Sequence, residues 1–127
     1  MNRQVIQTDE APRSPLYSQG IRSGAALYVS GMTGIDVKMQ KLAGPTIQEQ
    51  TRQAIRNCEA VLRAAGASLA NVVEVQALLA RPEDFAGFNE AYAESFASDP
   101  PTRSVGRLGP DLPGLLVSIR MTAAVAD

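Results

Sequence analysis

Histidine does not occur in the 127 residues, and its absence removes most of the familiar catalytic apparatus. A Ser-His-Asp triad, a Cys-His pair and the common zinc sites each need an imidazole. Cysteine occurs once, as Cys58, which excludes an internal disulfide and suits a reducing compartment. No glycine loop of either phosphate-cradling spacing is present. No basic run appears either, and the 12 lysines and arginines are balanced by 13 acids. Nucleic-acid binding through phosphate neutralisation therefore has little support. With no long apolar span and no charged-then-apolar leader, the expectation is a soluble, unexported, cytoplasmic protein. The length suits one domain, residues 1–127, with a single core. An enzyme built from this set must use carboxylates, tyrosine, arginine, backbone groups and water. Such a set fits an already reactive substrate.

What is present reads as alternating strands and helices. Arg3–Gln7 and Tyr17–Arg22 are short strand candidates separated by a proline-bearing loop, and Ser23-Gly24 signals a turn. Ala26–Ser30 resumes strand composition, with Ser30-Gly31 expected to close a hairpin. Gly31 is either a plain turn or bulge, or a place where backbone approaches a ligand. Met32–Pro45 lacks a period and reads as loop. From Ile47 to Ala65, apolar residues recur at three- and four-residue steps, which predicts an amphipathic helix ended by Gly66. Cys58 lies in its apolar stripe and reads as a small core residue.

Asn71–Ala80 alternates as a strand, with Val73, Val75, Ala77 and Leu79 expected on one face. Pro82-Glu83-Asp84 opens a second helix whose stripe is Phe85, Phe88, Tyr92 and Phe96, with Asn89 at its edge. Arg103–Leu108 is a strand interrupted by Gly106, and the residues from Leu115 to Val125 alternate as a long last strand. The order predicts an α+β fold: a mixed sheet with both helices on one face. The other face, with Leu27 and Leu116, needs a cover, which favours an oligomer.

One stretch stands apart, Pro100-Pro101-Thr102-Arg103-Ser104-Val105. Two prolines stiffen the entry to a strand and place an arginine at its mouth. That arginine is either an ordinary surface residue or a fork for a carboxylate.

Several pieces resemble one family. Ala11-Pro12, Tyr17-Ser18-Gln19-Gly20, Val29-Ser30-Gly31, Gln50–Ala54, Val61–Leu69, Asp84-Phe85-Ala86, Asn89–Tyr92 and Pro101–Ser104 are similar, in order, to the RidA/YjgF enamine/imine deaminases. The resemblance implies a chorismate-mutase-like homotrimer, sheets toward its centre and a cleft at each subunit boundary. It implies that Arg103 grips the carboxylate of a 2-imino or 2-enamino acid, which water converts to a 2-keto acid and ammonia with no metal and no organic cofactor. It places Tyr17, Ser30, Gly31 and Asn89 at the cleft, with Ser104 and Val105 following Arg103, Val105 through its backbone.

Two departures matter. Deaminases of the family usually carry a glutamate in the last strand, and a gapless count from Arg103 places Ser118 there. Serine binds water but does not take a proton as a carboxylate does. After Arg103 the chain has Gly106 and Arg107 where apolar alternation is usual. Arg107 either forms an ordinary ion pair or adds a second positive group for a diacid, an aminomuconate-type acid being an example. Three readings follow: a deaminase using Arg103 and Ser118, a non-catalytic small-carboxylate binder or sensor, and a nuclease or translation inhibitor. The last is disfavoured by the missing basic face.

Overall fold

A computed structural model describes residues 3–126. Six strands form one sheet: β1 (Arg3–Ile6), β2 (Gly20–Ser23), β3 (Ala26–Met32), β6 (Val72–Leu79), β7 (Thr102–Arg107) and β8 (Val117–Ala124). Their spatial order is β1-β2-β3-β8-β6-β7, antiparallel throughout except for the parallel pair β6–β7. The mixed sheet with helices on one face is as expected. A two-residue hairpin, β4 (Ile35–Asp36) with β5 (Lys41–Leu42), lies inside the stretch read as loop. Strands that short leave no period to read; the Asp36 carboxylate closes the turn by accepting the Lys38 and Met39 N–H groups at 2.9 and 3.3 Å.

Helix α1 (Ile47–Ala64) begins at a capping box, in which Glu49 N–H donates to Thr46 Oγ1 and Thr46 N–H to Glu49 Oε1, both at 3.2 Å. It ends as predicted at Gly66, whose φ of +80° lets Ala67 N–H reach Leu62 O at 2.9 Å and Gly66 N–H reach Arg63 O at 3.0 Å. Ala54, Ile55, Cys58, Val61 and Leu62 pack with Leu27, Val29, Val75, Ala77, Val117, Ile119 and Met121 in one core. Burying such side chains is the main stabilising term, roughly 1.5–3 kcal/mol for each large one. Burial pushes the Cys58 thiol far above its ordinary range.

Helix α2 (Phe85–Ala93) follows a 3-10 turn at Pro82–Asp84, where Arg81 and Asp84 pair at 2.9 Å. It lies hard against α1: a Cβ on Gly87 would sit 2.6 Å from Ile47 Cγ2. Arg52 and Glu94 clamp the pair, with Nε to Oε1 at 3.0 Å and Nη2 to Oε2 at 2.8 Å. That arginine holds the Glu94 carboxyl below the usual carboxylate range.

Several expectations are corrected. Strand β2 starts at Gly20 rather than Tyr17, because Gln19 turns inward (3 % exposed) to hold the preceding loop. Ser30-Gly31 does not close a hairpin; β3 runs on to Met32 through a bulge between Val29 and Met32. Val73 is 48 % exposed, because a second bulge between Val72 and Glu74 breaks the alternation there. Gly106 does not interrupt β7, which keeps register with β6 throughout. Phe85 is 45 % exposed, whereas Phe88, Tyr92 and Phe96 are buried. Leu27 and Leu116 are core residues. Leu27 shares parity with Val29, and Leu116 precedes β8, its N–H tied to the buried Gln50 Oε1 at 2.9 Å. On β3 it is Tyr28, 51 % exposed, that turns away from the core.

Candidate active site

Arg103 stands on β7, an edge strand that among the described strands pairs with β6 alone. Its register partner is the buried Val75, so it points to the helix side, as do Val105 opposite Ala77 and Arg107 opposite Leu79. Asn89 Oδ1 accepts from Arg103 Nη1 at 2.8 Å. The guanidinium carbon lies 5.0, 5.5 and 5.9 Å from the ring centres of Tyr92, Phe88 and Phe85. A guanidinium this close to aromatic rings is held by cation–π attraction, which leaves its remaining N–H groups free to bind. Burial pushes the Tyr92 phenol up, and the Arg103 charge offsets part of that.

Arg103, Val105, Gly106 and Arg107 line an open cavity of about 670 Å³ with Leu79, Pro82 and Phe85. Among the described residues its lining is apolar apart from the two arginines and holds no acidic side chain. Ser104 is the register partner of Gln76, one step out of phase with Arg103. Its side chain is thereby on the other face, and Ser104 is not among the residues lining this cavity.

Tyr17, Ser30, Gly31 and Ser118 belong to a second group. A Cβ on Gly31 would sit 2.9 Å from Ser118 Oγ, so β3 and β8 touch there. Ser30 Oγ donates to Ser18 O at 2.5 Å and Ser30 N–H to Gln19 O at 2.9 Å. The Ser30 hydroxyl proton is thus spent on holding the loop that carries Tyr17. That loop is held again by Gln19: Oε1 accepts Thr8 N–H at 2.8 Å, and Nε2 donates to the carbonyls of Thr8, Ala11 and Pro12 at 3.0, 3.0 and 2.9 Å. Tyr17, 47 % exposed, lines a separate cavity of about 680 Å³ with Arg3, Arg13 and Ser18 among others.

The two groups do not meet within one chain. From β2 to β7 the sheet crosses four strand spacings, roughly 19 Å. Ser118 lies on β8, two spacings from β7. It pairs with Leu78, so its side chain leaves the sheet on the face opposite Arg103. The chain carries two half-sites: Arg103, Asn89, Val105 and Arg107 at one edge, Tyr17, Ser30, Gly31 and Ser118 toward the other.

Sequence reading missed the three rings as a seat for Arg103, seeing them only as a helix stripe. It also missed Gln19 as the strut of the Tyr17 loop, since a buried amide leaves no periodic trace. No group of three or more metal-binding side chains occurs among the described residues.

Comparisons with known proteins agree with one another. The family model described as Endoribonuclease L-PSP matches residues 8–125. A RutC family protein of Saccharolobus solfataricus is 42% identical over 115 residues, 87% of this chain and 90% of that protein. The human 2-iminobutanoate/2-iminopropanoate deaminase is 37% identical over 103 residues, 80% of this chain and 75% of that one. Among solved structures, a protein of the conserved Rid family from Yersinia pestis, YyfA, superposes with a TM-score of 0.91. That structure is 32% identical, and the match covers 98% of this chain and all of that one.

Proposed function

The chain belongs to the RidA/YjgF family, and from that premise we propose that it is a hydrolytic deaminase of small 2-imino and 2-enamino acids. The products are a 2-keto acid and ammonia. The observation that carries this reading is the seat of Arg103: an arginine 5.0 to 5.9 Å from three ring centres, hydrogen-bonded to Asn89 and facing a cavity with no acid among its described lining residues. Arginine fixed in that manner presents a planar fork matched to a carboxylate. The name of the human relative, 2-iminobutanoate/2-iminopropanoate deaminase, supports the class, a 2-imino acid.

The cleft is assembled between copies of the chain, and a chorismate-mutase-like homotrimer is the proposed assembly. The separated half-sites support this. One copy contributes Arg103, Asn89 and the open backbone edge of β7 at Val105; its neighbour contributes Tyr17, Gly31 and Ser118. Ser30 serves as a strut for the Tyr17 loop, and Ser104 holds β7 to β6.

In the protonated imine the carbon beside the carboxylate is already electrophilic. Water forms a bond from its oxygen to that carbon while the C=N pair moves onto nitrogen. A proton then passes from the added oxygen to nitrogen, and the C–N bond breaks with its pair leaving on ammonia. The remaining hydroxyl proton passes to water or to that ammonia, and the carbonyl forms. Arg103 holds the carboxylate so that water meets a fixed carbon, and such orientation alone can lower a barrier by several kcal/mol. Ser118 accepts from and donates to water but supplies no base. The proposal includes no metal, no organic cofactor, no nucleic acid and no membrane; no helix of the described residues is long and apolar enough to cross one.

The test couples an amino-acid oxidase, which releases imines, to keto-acid formation. Wild type should accelerate the hydrolysis, and Arg103→Ala should lose about a hundred-fold in kcat/KM, the size of one charge-assisted contact. A rate unaffected by the protein would sink the reading. It would favour the second one, a carboxylate-binding or sensing trimer, which Ser118 supports because neither cavity is lined by an acid.

A further inference from the structure

Resting on the carboxylate clamp assigned to Arg103, we propose that Arg107 is a second anion anchor in the same cavity. The cleft then takes a small diacid, a 2-imino acid with a second carboxylate at the far end of a short apolar chain. The reason is the regularity of β7. Its register with β6 is unbroken from Thr102 to Arg107, and Leu108 N–H continues the pairing by donating to Leu79 O at 2.9 Å. No bulge intervenes, so residues 103 and 107 share the helix-side face, with their Cα atoms roughly 13 Å apart.

Between the two arginines the cavity is apolar, floored by Val105, Leu79, Pro82 and Phe85. Two cations at the ends of an apolar trough match a ligand charged at both ends and hydrocarbon between. Long flexible stems let both guanidinium groups close on acid groups a few carbons apart.

The competing role for Arg107, an ordinary ion pair, finds no partner. Arg13, Arg52, Arg63 and Arg81 each hold a carboxylate of their own chain. Among the described residues Arg107 makes no ion pair, and its guanidinium makes no hydrogen bond. A trough with two positive groups and no acidic one concentrates anions at both ends.

The experiment titrates the protein calorimetrically with unreactive analogues, glutarate and adipate against pentanoate and hexanoate. Wild type should prefer each diacid over the monoacid of equal length by about ten-fold, the effect of one partly exposed charged contact. Arg107→Gln, which keeps most of the stem, should bring that ratio near one, and Arg107→Lys should keep most of it. A ratio of one in wild type, or the same ratio in wild type and Arg107→Gln, overturns the inference. Turnover of diacid and monoacid imines from an oxidase, followed in parallel, separates the two ideas. Diacid preference without turnover removes the deaminase reading alone, and turnover without diacid preference removes this one alone.

Discussion

Replacing Gln19 by alanine should loosen the Tyr17 half-site without touching its exposed residues. The side chain is 3 % exposed and makes four contacts of 2.8 to 3.0 Å to Thr8, Ala11 and Pro12. A neutral hydrogen bond contributes about 1 kcal/mol net, and a buried group left unpaired loses roughly 1–3 kcal/mol. The bonds to Thr8 and Pro12 are partly exposed, so water replaces some of them. The expected loss of stability is therefore about 2–3 kcal/mol, short of the four-bond sum. Urea unfolding followed by far-ultraviolet circular dichroism, at matched protein concentration, reads it directly. Gln19→Glu is the sharper probe. It keeps an acceptor for Thr8 N–H but turns a carboxylate toward three carbonyls, so it should destabilise at neutral pH at least as much as alanine. Acid should restore part of the loss by protonating it. A midpoint shift worth less than about 0.5 kcal/mol in both variants, the range of ordinary surface changes, would refute the reasoning.

Other consequences follow from single contacts. Gly31→Ala places a Cβ 2.9 Å from Ser118 Oγ; it should destabilise by about 1 kcal/mol, and Ser118→Ala should relieve most of that in a double-mutant cycle by urea unfolding. Asn89→Ala removes the 2.8 Å bond to Arg103 Nη1 and should raise KM several-fold in the oxidase-coupled assay with a smaller change in kcat; an unchanged KM would detach Asn89 from the clamp. Ser118→Ala should slow hydrolysis less than about three-fold, since a loss beyond ten-fold, or 1.4 kcal/mol, would make its hydroxyl essential to the water step. Burial raises the Cys58 thiol in the folded state, so the native form holds its proton more tightly than the unfolded chain. Stability from this group is complete below the unfolded thiol's value near about 8.5 and declines above it by about 1.4 kcal/mol per pH unit. Cys58→Ala should lack that alkaline decline in urea midpoints measured from pH 8 to 10, and native protein should resist thiol reagents that label it at once when unfolded.

The longer elements were legible because burial follows a period. The stripe from Ile47 to Leu62 and the alternation from Val117 to Ala123 each face one core, and Gly66 closes α1 where its φ of +80° is needed. What escaped has no period. The β4–β5 hairpin is two residues a side, and the bulges before Met32 and Glu74 move Gly31 and Val73 off the positions alternation assigns them. Leu116 looked exposed because alternation puts it out of phase with Val117, and the Gln50 side chain that holds its N–H lies 66 positions away. Arg103 was legible as a stiffened arginine at a strand mouth. Its aromatic seat was not, since Phe85, Phe88 and Tyr92 serve the helix stripe and the stack together. The distance between Tyr17 and Arg103 depends on strand order, which no local pattern carries.

That separation makes complementation the most direct measurement. Tyr17→Ala and Arg103→Ala chains, each defective alone in the oxidase-coupled assay, are unfolded together at equal amounts, refolded and assayed. If the half-sites join between copies, a random mixture regenerates intact clefts at about one boundary in four, so activity should rise to about a quarter of wild type. Activity no greater than the sum of the two separate variants would contradict a site shared between neighbouring chains.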